Sequence, residues 1–169
     1  MNKEILIAAL ALATGCMTTQ STDDLPVVRN FNSARYMGVW HEIGRLPKWY
    51  ERGLNEVTAT YSLEGDTLRI VNRGYRDGEE VVSTAVGKFA GAPDEGAFRV
   101  SFFRPFYGDY RIIYLSRDYD VAVVTGSNRS SLWILAREKT LPPDQKAALI
   151  KMSKDWGFDT NKLEYPRLQ

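Results

Sequence analysis

Between residues 38 and 137 the chain alternates short β-favouring runs with explicit turn signals, and this punctuation restricts what it can fold into. Eight runs are legible, at 40–46, 57–63, 67–75, 81–89, 97–103, 110–115, 121–125 and 132–138. Between them stand Glu64-Gly65-Asp66, Asp77-Gly78, Gly91-Ala92-Pro93-Asp94-Glu95-Gly96 and Gly126-Ser127-Asn128. Connections this short favour antiparallel neighbours in up-and-down order. Eight such strands can close on themselves, which removes exposed edges and leaves room for one small ligand. One helix is predicted after them. Pro142 and Pro143 suit its first turn, where a missing N–H costs little, and Gly157 suits its stop. Leu149, Met152, Ser153 and Trp156 recur at helical spacing and should pack on the barrel wall. Leu163-Glu164-Tyr165 reads as a last short strand. The expected fold is therefore all-β: an eight-stranded antiparallel up-and-down barrel with one C-terminal α-helix.

Composition narrows the function classes. Lys plus Arg is 22 against 21 for Asp plus Glu, a net charge of +1. Nucleic-acid binding would call for a concentrated basic face. No Gly-x-Ser-x-Gly elbow, glycine-rich phosphate loop or His/Cys cluster is present, so the sequence suggests no cofactor and no metal. The single histidine, His41, adjoins Trp40 and should face outward if Trp40 faces inward.

The start of the chain reads as a leader. Lys3 precedes an apolar stretch at 5–13, which is too short to span a bilayer but suits a signal peptide. Ala13, Thr14 and Gly15 then lead to Cys16, the only cysteine. The arrangement resembles a bacterial lipobox, although Leu12 stands four places before the cysteine rather than three. The resemblance implies that Cys16 becomes the lipidated first residue, and that the mature chain has no free thiol or disulfide. Met17 follows, not the Asp typical of inner-membrane retention, which by the same resemblance implies the outer membrane. Residues 17–25 are rich in Thr, Ser and Asp and read as a solvated tether. The expected division is a signal peptide at 1–15, a lipidated tether at 16–27 and a barrel domain at 28–169.

Three blocks give the body of the chain a family resemblance. Gly38-Val39-Trp40-His41-Glu42-Ile43 opens the first strand, Arg117-Asp118-Tyr119 lies between strands six and seven, and Trp133-Ile134-Leu135-Ala136-Arg137 forms the last strand. In this order, with eight strands and a terminal helix, they resemble the lipocalins over about residues 28–166. The likeness is greatest to the bacterial outer-membrane branch and to apolipoprotein D. The up-and-down path brings all three blocks to one end of the barrel. There the Arg137 guanidinium can lie on the Trp40 ring, so Gly38, Trp40 and Arg137 are expected to close that end.

Alternation then assigns the interior. The resemblance places Trp40, Tyr61, Asn72 and Trp133 inside. Period two adds Glu42, Gly44 and Leu46 on strand one, and Ala59, Ile70 and Leu135 elsewhere. On strands five and six the choice is Val100, Phe102, Tyr110, Ile112 and Tyr114. The expected ligand-contacting set is thus Leu46, Ala59, Tyr61, Ile70, Asn72, Val100, Phe102, Tyr110, Ile112, Tyr114, Trp133 and Leu135. Glu42 requires an arginine partner, internal water or a proton, and the sequence does not decide which. At the opposite, open end Arg52, Arg76, Arg104 and Arg129 suit an anionic head group.

The resemblance implies a membrane-anchored protein that stores or transports fatty acids or lysophospholipids in the bacterial envelope. It would sit on the periplasmic face of the outer membrane. Two alternatives stand beside it. One is a structural or interaction lipoprotein without a physiological acyl ligand. The other is an enzyme acting on a lipid through Glu42 and the buried tyrosines, for which the sequence offers little. A homodimer is compatible with both the binding and the structural role, and the sequence locates no interface.

Overall fold

The structure, a computed structural model, describes residues 20–168. The signal peptide and Cys16 lie outside these residues. Eight strands form a closed barrel in chain order: β1 (Gly38–Arg45), β2 (Asn55–Glu64), β3 (Thr67–Arg76), β4 (Glu79–Phe89), β5 (Ala97–Phe103), β6 (Phe106–Leu115), β7 (Val121–Thr125) and β8 (Leu132–Ala136). Every neighbouring pair is antiparallel, and β8 returns to β1. One of the two-residue links is Asp77-Gly78, between the paired residues Arg76 and Glu79. Both turn residues have positive φ, +53° and +84°, as a two-residue hairpin of this twist requires.

Two apolar layers result from the alternation. Trp40, Tyr61, Ile70, Phe98, Ile112, Val124 and Leu135 pack inside the barrel. Ile43, Ile113, Val121, Val123, Leu132 and Ile134 face outward on the same strands. That second layer is covered by helix α2 (Pro143–Asp155), while the one-turn helix α1 (Ser33–Tyr36) precedes β1 and adds Tyr36 to the inner layer. The expected stripe makes the contact: Leu149 and Ser153 are buried, and Met152 and Trp156 pack beside them. Each large apolar side chain so covered contributes roughly 1.5–3 kcal/mol. Gly157, at φ +84°, ends the helix.

Three one-residue irregularities correct the inward assignments. On β1, Glu42 pairs with Leu135 but Gly44 pairs with Ile134, so Ile43 is the extra residue. The bulge turns Gly44 and Leu46 outward: Leu46 is buried in the layer under α2 and Gly44 lies beneath the Tyr165 ring. Arg45 turns inward in their place, opposite Trp133. On β5 the register shifts between Val100 and Phe103. Phe102 is consequently about half exposed rather than inside the cup. On β6 it shifts between Ile112 and Tyr114, and Tyr114 joins Ile113 in the outer layer. A bulge inserts one residue and so reverses the phase of everything beyond it.

The segment expected to be a solvated tether is also corrected, from Gln20 onward. Thr22 is fully buried, its hydroxyl donates to the Gly126 carbonyl at 2.7 Å, and Leu25 packs in the outer layer. The expected last strand reduces to a single bridge, Arg45 with Glu164.

Candidate functional site

The closed end of the barrel is plugged by aromatic residues. Tyr36 of α1 packs on Trp40 and Tyr61, with centroids 4.8 and 5.3 Å away, and Phe31 packs on Tyr36 and Phe98. The Tyr110 hydroxyl sits 2.8 Å from that of Tyr36 and donates to that of Tyr61 at 2.8 Å. Burial pushes all three phenols up, so they stay neutral and act as a hydrogen-bonded floor. Arg137 seals the outside of this end. Its guanidinium lies 4.0 Å above the Trp40 ring and donates to the carbonyls of Arg35, Tyr36, Met37, Val39 and Tyr119. Gly38, at φ +96°, leaves room for it; a Cβ there would stand 3.3 Å from the Arg137 Nη1.

Above the plug the inward-facing side chains differ in burial. Tyr61, Ile70, Ile112 and Leu135 are buried, whereas inward-facing Ala59, Asn72, Val100, Tyr110 and Trp133 are only partly so. A side chain that points into a closed barrel keeps solvent contact only where the interior is unfilled. These walls are mainly apolar, which suits a hydrocarbon chain.

A buried polar cluster stands between the apolar wall and the mouth. Arg45 Nη1 donates to Glu42 Oε1 at 2.6 Å, and both side chains are at least 95% buried. Arg45 Nη2 donates to the carbonyls of Glu51 and Leu54, and Nε lies 3.4 Å from a Glu164 carboxylate oxygen. Glu51 reaches in from the β1–β2 loop and accepts from Trp133 Nε1 at 3.2 Å. Its other oxygen is buried and makes no hydrogen bond among the described residues. Burial, reinforced by Glu51 and opposed by Arg45, pushes the Glu42 carboxyl up to about 7. Burial raises Glu51 as well, against the Trp133 hydrogen bond and Arg45. Arg45 is thus the arginine partner of Glu42, and the raised carboxyl also holds its proton as the pH rises toward about 7.

Sequence reasoning missed Arg45 and Glu51. In a regular strand residues i and i+3 lie on opposite faces, so Glu42 and Arg45 meet only because Ile43 bulges. Gly44 in mid-strand was the available signal, since glycine in a strand often marks a bulge.

The four arginines assigned to the rim separate. Arg52 and Arg104 are exposed at the open end. Arg76 donates to the carbonyls of Arg52 and Tyr50 and so pins the β1–β2 loop. Arg129 is a correction: it is 8% exposed and contacts Ser21, the Asp24 carboxylate and the Trp156 carbonyl. It holds the N-terminal segment to the end of α2 and presents no charge at the mouth. His41 lies on the outer wall, in a groove of about 230 Å³ with Glu56, Arg73, Glu80 and Lys139. Among the described residues no group of three or more His, Cys, Asp or Glu side chains could hold a metal ion.

Comparison with known proteins agrees with this architecture. A family model described as a lipocalin-like domain matches residues 31–167. The outer membrane lipoprotein Blc of Citrobacter freundii is 41% identical over 160 residues, covering 93% of this chain and 90% of that protein. Mouse apolipoprotein D is 26% identical over 176 residues, covering 94% and 92%. Insecticyanin from the tobacco hornworm Manduca sexta superposes with a TM-score of 0.68 at 20% identity, over 89% of this chain and 88% of that one.

Proposed function

Because this chain belongs to the lipocalin family, we propose that it is an outer-membrane lipid carrier that holds a single-tailed amphiphile, a fatty acid or a lysophospholipid. The observation that carries the reading is the graded interior. A neutral aromatic floor lies below apolar, partly exposed walls, and the charge inside the cup, the buried Glu42–Arg45 pair, stands above that floor on the side of the mouth. Burying the tail supplies most of the affinity, at about 0.8 kcal/mol per CH₂ group. The head group remains near Arg52 and Arg104. Location at the outer membrane is supported by the names of relatives such as that of Citrobacter freundii. In this reading Cys16 is the acylated residue through which the chain is anchored. The protein acts as a carrier rather than a catalyst, in keeping with a lone histidine on the outer wall.

Mass spectrometry of lipid extracted from protein purified out of its own envelope tests the ligand class. Single-tailed lipid should be recovered at about one molecule per barrel. Recovery of two-tailed phospholipid only, or of no lipid from protein that also fails to bind added fatty acid, would overturn the reading. Incorporation of labelled palmitate that disappears in Cys16→Ser tests the anchor.

A further inference from the structure

The first described residues are fastened to the open end of the barrel. The Gln20 carbonyl accepts from the Arg129 N–H at 2.9 Å, Ser21 forms a bridge with Asn128, and the Thr22 N–H donates to the Ser127 carbonyl. All three partners belong to the β7–β8 connection, which lies at the mouth. Three residues, and so four Cα–Cα steps, separate Cys16 from Gln20. A fully extended chain of that length spans at most about 14 Å. If Cys16 carries the anchor, as proposed above, the mouth is therefore tied close to the bilayer surface.

The two hairpins on either side of this tie carry the most exposed apolar side chains. In the ring of strands, β7–β8 is flanked by β5–β6 and, across the closure, by β1–β2. Trp49 on the β1–β2 loop is 83% exposed, and Phe103 and Phe106 on the β5–β6 hairpin are 82% and 78% exposed. Tyr50 and Phe102 beside them are about half exposed. Each group includes an exposed arginine, Arg52 or Arg104. The fourth hairpin, β3–β4, is different: Asp77, Glu79 and Glu80 are exposed there, while Arg76 is turned to loop carbonyls. Aromatic rings beside cations suit the interface of an anionic membrane, and an acidic turn does not.

We propose that the tips of the β1–β2 and β5–β6 hairpins form a bilayer-docking face. It seats the mouth of the cup on the membrane that holds the anchor, with the acidic β3–β4 hairpin tilted away. The inference rests on the anchored-carrier reading and deepens it: the ligand passes between leaflet and cup without crossing open water. Phe103 and Phe106 are held out for contact with lipid, which accounts for large apolar side chains in solvent that neither the floor nor the wall layer uses.

The test uses the full acylated chain, its acyl mass verified first, reconstituted in phosphatidylethanolamine vesicles containing phosphatidylglycerol. Emission from Trp49 is obtained as the difference between the wild type and Trp49→Phe. Phospholipid brominated high on the acyl chain should remove most of that emission. The double variant Phe103→Glu/Phe106→Glu changes only exposed positions and should restore it. A tryptophan reporter from Glu79→Trp, in the Trp49→Phe background, should stay unquenched. Unquenched Trp49, indifference to the double substitution, or equal quenching of the reporter at position 79 would overturn the docking face. Absence of acyl mass on Cys16 would also overturn it, since the tie to the membrane is then lost. Fatty-acid binding measured on the same samples separates the two readings: quenching without binding leaves docking intact and removes the carrier, and binding without quenching does the reverse.

Discussion

Glu42 is the residue at which burial and charge compete most directly. Its carboxyl ionises near 4.5 when free and near 7 in the barrel, because burial and Glu51 outweigh Arg45. Between those values the folded protein keeps a proton that the unfolded chain has lost. Stability present below about pH 4.5 is therefore lost as the pH rises through about 7, on the order of 3 kcal/mol for this group. Glu51, also raised, acts with the same sign. Urea denaturation at a series of pH values should show this decline in the wild type and a flatter profile in Glu42→Gln. An equally steep profile in the variant would remove Glu42 as its source. Arg137 shows the opposite case, a charge fully used. Its planar donors serve five backbone carbonyls, a pattern that a lysine ammonium cannot reproduce. Arg137→Lys should lose on the order of 2 kcal/mol in the same assay, by forfeiting charge-assisted hydrogen bonds to partly buried carbonyls.

At the scale of the element, strand phase decides which side chains meet a ligand. Val100 and Phe102 are two apart on β5 and would share a face in a regular strand, but the shift after Val100 separates them. Val100→Asp should destabilise the barrel by about 2 kcal/mol or more, because a charge then enters the interior without a partner. Phe102→Asp should cost about 0.5 kcal/mol or less, being at an exposed position. Equal losses in thermal or urea denaturation would contradict the assigned bulge. The same device explains what the sequence could convey. Turn residues such as Asp77-Gly78 and the spacing of Leu149, Met152, Ser153 and Trp156 carry strand order, closure and helix packing, because their chemistry is local. The inward positions of Ala59, Ile70 and Asn72 follow period two on the runs of β2 and β3 that pair without interruption. Leu46, Phe102 and Tyr114 do not, because one inserted residue reverses the phase and only Gly44 marks such a site in composition. Arg45 beside Glu42, and Arg129 beneath Ser21, depend on contacts that no local pattern encodes.

At the scale of the whole molecule, one continuous wall serves two purposes. Its outer face is stabilised by α2 and the N-terminal segment, which frees the inner face from filling the barrel completely. Stability and capacity are thereby divided between the two faces of the same strands. The closed end is fixed by Arg137, Trp40 and the linked tyrosines, and the buried Glu42–Arg45 pair stands inside on the side of the mouth. A lipid-binding cup built in this way should lose its ligand when the cup is filled and keep it when the outside is altered. Ala59 faces the partly open interior, and its neighbour Thr60 faces out. The most direct measurement is calorimetric titration of a fatty acid into Ala59→Phe and Thr60→Phe, each first shown to be folded. Ala59→Phe should weaken saturable binding at least about tenfold, a change of about 1.4 kcal/mol, while Thr60→Phe binds as the wild type does. Equal binding by both folded variants, or loss in Thr60→Phe only, would contradict an acyl chain held inside the barrel.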